Sequence, residues 1–116
     1  MKVIYNNYIP VRGYVALTLW PFVFVRNSAI RRYTLVTANH ESIHGMQQRE
    51  ALCLVFFLWY AVEYIIRLVI YRSHKEAYRN ISFEQEAYIH ESDLFYLSSR
   101  RPYAFIRYVR RKTFHL

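Results

Sequence analysis

His40, Glu41 and His44 are the residues of this chain whose types and spacing most directly suggest chemistry, in the run His40-Glu41-Ser42-Ile43-His44. On a helix, residues four apart differ by about 40° in azimuth and about 6 Å in height, so two imidazoles at that spacing can reach one metal ion. Glu41 is turned by about 100° from His40. It can face the coordination position where water sits. A carboxylate there takes the proton of a metal-polarised water as that water attacks a carbonyl, then hands it to the leaving amine. The expectation is one zinc ion held by His40 and His44, with Glu41 activating a zinc-bound water for peptide-bond hydrolysis.

The flanking residues extend the pattern. The stretch from Thr37 to Met46 resembles the longer signature of the zincin metallopeptidases. That signature favours Val or Thr at its first place, uncharged residues around the histidines and an apolar residue at its end. Thr37, Ala38, Ser42, Ile43, Gly45 and Met46 comply. A catalytic zinc takes three protein ligands and keeps one position open. The metzincin extension needs G-x-x-H after the second histidine, whereas His44 is followed by Gly-Met-Gln-Gln-Arg-Glu-Ala, so that subclass is excluded. Further on, Phe83-Glu-Gln-Glu-Ala-Tyr88 resembles the glutamate helix of the gluzincins, E-x-x-A-D. Glu84 and Ala87 align with its Glu and Ala, and Tyr88 stands where the family often has Asp. The resemblance covers roughly residues 10 to 95 and is nearest to the smallest gluzincins. It implies a small sheet ahead of the active-site helix, whose edge strand, here Ile30 to Val36, holds a peptide or protein substrate by strand addition.

Glu84 and Glu86 compete as third ligand. They differ by about 200° on a helix, so both cannot face one metal. Glu84 lies beside Ala87 and Leu94 and is preferred, since a ligand must face inward. Glu86 shares a more polar side with His90 and Asp93. Gln47 falls near the azimuth of His40 and could hydrogen-bond a ligand or water. Tyr88, or alternatively Tyr78, could donate to a tetrahedral oxyanion, as Tyr or His does in such enzymes. His74, His90 and His115 read as surface or core histidines.

The elements that must position these residues follow from the patterning. Tyr14 to Trp20, Phe22 to Val25 and Ile30 to Val36 are rich in β-branched and aromatic residues, which predicts a small N-terminal antiparallel sheet. Thr34 or Thr37 can cap a helix that is established by Ala38 and carries the two histidines. Ala51 to Val62 are twelve apolar residues in a row, followed by Glu63 and Arg67 at i,i+4. Tyr71 to Asn80 reads as a polar loop. Ser82, with Gln85 as capping-box partner, opens a glutamate helix predicted to run to about Leu97. The fold class is therefore α+β in a single zincin-like domain of residues 1–116, with a basic, aromatic tail from about 98.

Composition narrows the setting. The formal charge is +8, much of it at Arg100, Arg101, Arg107, Arg110, Arg111 and Lys112. Cys53 is the only cysteine, so an intrachain disulfide is excluded. The residues after Met1 are too polar for a signal sequence, which points to the cytoplasm. Ala51 to Ile70 is long enough to cross a bilayer. One crossing would put His44 and Glu84 about 30 Å apart on opposite sides. The expectation is a core helix or peripheral membrane contact through this helix or the basic C-terminus. Nucleic acid is set aside as a partner. Two rival readings are a non-catalytic zinc-binding regulatory module and a metal-free, membrane-associated basic protein.

Overall fold

The computed structural model describes residues 1–109, so Arg110, Arg111, Lys112 and His115 lie outside the described residues. The fold is α+β, a three-stranded sheet followed by helices. Strands β1 (Lys2–Asn6), β2 (Ala16–Leu19) and β3 (Phe22–Arg26) lie in the order β1-β3-β2. The sheet is mixed rather than antiparallel, because β1 pairs parallel with β3 and only β2 runs antiparallel to it. The first residues supply the unexpected strand. Val3 and Tyr5 pair with Val23 and Val25, which places β3 at the centre. Val23, Val25 and Thr18 are buried, whereas Leu17 and Leu19 on β2 are exposed.

The expected strand from Ile30 to Val36 does not form. Asn27–Arg32 is a short 3-10 helix and Leu35 already belongs to helix α1 (Leu35–Glu50). Thr34 is its N-cap and accepts from the Thr37 N–H at 3.4 Å. This side-chain bond satisfies one of the free N–H groups of the first turn and favours helix over strand. The edge strand beside α1 is β2. Gln48 of α1 accepts from the Trp20 N–H at 2.6 Å and donates to the Thr18 carbonyl at 2.7 Å. Gly45 leaves room for the Met1 side chain, whose Sδ would lie 2.6 Å from an added Cβ.

Helix α1 ends where Leu52 takes φ 54°, and α2 (Cys53–Tyr71) leaves in a new direction. The polar stretch after it is not a loop. Residues His74–Asn80 form α3, with Ser73 accepting from the Glu76 N–H at the helix start. Helix α4 (Ser82–His90) is shorter than expected, and a short α5 (Tyr96–Ser99) follows it. Ser82 is not its cap. The Ser82 N–H and hydroxyl both donate to buried Glu63 of α2, and Gln85 donates to the Asn80 and Tyr108 carbonyls. A carboxylate at a helix N-terminus is favoured by the free N–H groups there.

The core lies between α2, α4 and the C-terminal segment. Phe83 sits 4.3 Å from Phe56 and 4.6 Å from Phe105 between ring centroids, with Trp59 and Tyr60 around them. The segment after about 98 is thus partly structural. Phe105 and Tyr108 are buried, and the Arg100 side chain forms inward ion pairs with Glu86 at 2.5 Å and Glu50 at 2.8 Å.

Candidate metal centre

Helices α1 and α4 cross so that His40, His44 and Glu84 converge, all three buried. His40 Nε2 and His44 Nε2 are 3.1 Å apart, and Glu84 Oε1 is 3.2 Å from the first and 3.1 Å from the second. Ligand atoms bound tetrahedrally to zinc at about 2.0–2.1 Å stand about 3.3 Å apart. The spacing therefore suits one small dication with three protein ligands.

The outer nitrogens decide which lone pairs face inward. His40 Nδ1 is 2.9 Å from Glu91 Oε1, and His44 Nδ1 is 2.8 Å from Gln47 Oε1. Both partners are acceptors, so both Nδ1 atoms carry hydrogen and each neutral ring turns its Nε2 lone pair inward. The Gln47 amide is itself oriented, because its Nε2 donates to the Phe83 carbonyl at 3.0 Å and to Glu86 Oε1 at 2.9 Å. On the other side, the Tyr60 hydroxyl of α2 donates to Glu84 Oε2 at 2.7 Å and leaves Oε1 free toward the histidines. Two lone pairs and a carboxylate oxygen cannot meet at this distance without protons or a cation among them. The residues present fit a zinc ion.

The titration of the metal-free cluster has the same origin. Burial works against a charged His40, but its hydrogen bonds to Glu84 and Glu91 prevail and push it up to about 10. Burial opposes protonation of His44 as well, and Glu84 again overcomes it, raising the group above its ordinary value. Burial would raise Glu84, yet the two imidazoles hold it well below the usual carboxylate range. Protons take the place that a dication would take.

Glu41, buried on α1, accepts from the Thr18 hydroxyl of β2 at 2.8 Å. Burial raises its pKa, against the lowering effects of His44, His40 and Thr18. Glu41, His44 and Glu84 line a cleft of about 720 Å³ between β2 and α2. Ala16 to Leu19 form one wall, and Phe57, Tyr60 and Tyr64 stand on the other. Tyr78 also lines this cleft, while Tyr88 lies outside it, packed on His40 with ring centroids 4.5 Å apart. His74 stands in the cleft between the Tyr14 and Tyr64 hydroxyls, each at 2.9 Å. His90 is remote from the triad's histidines in role, stacked on Tyr96 at 3.8 Å.

Glu86 is not on a solvated face. It is fully buried, with Arg100 forked onto both oxygens, Gln47 on one and the Tyr96 hydroxyl on the other. It supports Gln47 rather than meeting the histidines.

Four contributors escaped the sequence reading. Glu91 supplies a carboxylate to His40 from seven residues beyond Glu84, where the helical period returns to nearly the same face. Asn39 holds this end of α4 by donating to the Glu91 and Asp93 carbonyls, each at 2.9 Å. Tyr60 and Thr18 carried no local signal, since their roles depend on the packing of α2 and β2 against the site.

Comparison with known proteins gives no match to a family model, a curated protein or a solved structure.

Proposed function

We propose that the chain is a zinc-dependent hydrolase of peptide bonds, in which His40, His44 and Glu84 hold the metal and Glu41 is the general base. The observation that carries this reading is the inward convergence of three ligand atoms at 3.1–3.2 Å, with both histidine tautomers fixed from outside. A purely structural metal site has no use for a buried carboxylate beside it on an open cleft, and Glu41 is such a group.

Zinc bound there would lower the pKa of a water in its open position and polarise a substrate carbonyl. Glu41 takes the proton as the water attacks and delivers it to the leaving nitrogen. Its place beside the cluster and on the cleft puts the carboxylate within reach of both transfers. Thr18 holds one oxygen of Glu41 and so aims the other. Tyr78 faces the cleft and serves as the oxyanion donor in this reading, with Tyr88 packed behind His40. An extended peptide lies along β2, the sheet edge that walls the cleft, in place of the Ile30–Val36 segment.

The test is metal analysis of the purified chain together with peptide cleavage by the wild type and by Glu41→Gln. About one zinc per chain, with cleavage lost only in the variant, supports the proposal. Zinc without cleavage in either protein would reduce the site to a non-catalytic module.

A further inference from the structure

Helix α2 is nineteen residues long, yet only Phe56, Glu63 and Arg67 of it are buried. Both of its charged residues face inward. Glu63 accepts from Trp59 and Ser82, and Arg67 donates to the Val109 carbonyl. The outer flank is left wholly apolar. Leu54, Leu58, Val62, Ile65 and Val69 recur at helical spacing and are 73, 60, 55, 60 and 71% exposed. At 1.5 Å per residue the stripe from Leu54 to Val69 extends for about 23 Å. Monomeric proteins in water rarely expose a contiguous apolar surface of this extent.

The polar surface has one sign. Among the described residues nine of the cations are exposed, whereas Asp93 is the one exposed acid and the other seven are buried or half-buried. Cations also frame the stripe, with Arg49 before α2 and Arg72 and Lys75 after it, all exposed.

We infer that this flank of α2 lies in the surface of an anionic lipid bilayer and anchors the protein there without crossing it. An apolar helix face bordered by cations suits acyl chains beside anionic headgroups. A second copy of the chain fits poorly. Antiparallel docking of two such flanks sets Arg49 against Arg72, and parallel docking sets each cation against itself. A crossing would carry Glu63, Arg67 and the helices packed on them into hydrocarbon. Phe57 belongs both to α2 and to the cleft wall, so the cleft opens beside the lipid surface.

The experiment is flotation of the full chain with phosphatidylcholine vesicles, with and without phosphatidylserine. We expect at least about tenfold more flotation with the anionic vesicles, because each basic residue near such a surface contributes about fivefold. Leu58→Ser/Val62→Ser/Ile65→Ser should abolish it while circular dichroism stays native. Arg72→Glu/Lys75→Glu, which leaves the apolar flank intact, should lower it about tenfold or more. Failure of the wild type to float, or undiminished flotation of both variants, overturns the inference. So does a solution dimer that the triple variant splits, which would assign the flank to a second copy. Resistance of the bound chain to alkaline carbonate extraction would indicate a crossing and overturn the peripheral geometry. Flotation does not depend on hydrolysis, so its failure would leave the metal centre untouched.

Discussion

His40 Nδ1 stands 2.9 Å from Glu91 Oε1, and this contact directs the opposite nitrogen of the ring toward Glu84. The carboxylate comes from the C-terminal end of α4, the same helix that brings Glu84. One helix thus supplies both a carboxylate of the cluster and the group that orients one of its imidazoles. Glu91→Ala should weaken zinc binding about 10–100-fold, the usual cost of losing such a partner. Gln47→Ala should act similarly through His44. Zinc titration against a chelator of known affinity checks both, and an unchanged affinity for Glu91→Ala would detach the carboxylate from the metal's support.

Glu84 and Glu86 should separate by what each variant loses. Glu84→Ala should abolish tight zinc binding. Glu86→Ala should leave Arg100 with a diminished set of partners in a buried site, at a cost of about 3–5 kcal/mol in stability. Denaturant unfolding and zinc titration on the two variants distinguish the roles. Loss of zinc in Glu86→Ala with full zinc in Glu84→Ala would reverse them.

Glu41→Gln should retain zinc, since Glu41 is not a ligand, and should lower peptide hydrolysis by at least about 10²–10⁴-fold. The amide still accepts from Thr18, so the fold should be unaffected. Cleavage at the wild-type rate would remove Glu41 from the base role.

The pH dependence has a definite sign. In the metal-free chain, His40 is raised from 6.5 to about 10, so its stabilising contribution is fully present below 6.5 and is lost as the pH rises toward 10. Glu84 is lowered, so its contribution is present above the ordinary carboxylate range and is lost only as the pH falls below it. Metal-free protein should therefore lose stability between about pH 6.5 and 10. Zinc must displace the His40 proton, so zinc affinity should rise with pH through that window. Thermal unfolding with and without chelator measures both. A metal-free stability that rises across this window would contradict the clustering of His40 with Glu84.

The α+β class and the histidine helix were legible from local patterns, as was the placing of Glu84 on the side that meets the histidines. H-E-x-x-H is an i,i+4 relation set by helix geometry alone, and α1 realises it. Ser73 with Glu76 offered a capping box that would have revealed α3, had the polar run not read as a loop. Tertiary structure decided the rest, because the remaining relations join residues far apart in the chain. The parallel β1–β3 pairing, the burial of Glu86 by Arg100 and the Tyr60–Glu84 bond have no local period to show them. The same holds for Glu63 and Arg67. Their spacing showed that they could pair, but only the packing of α2 on α4 and the C-terminal segment turned them inward and left the opposite flank apolar.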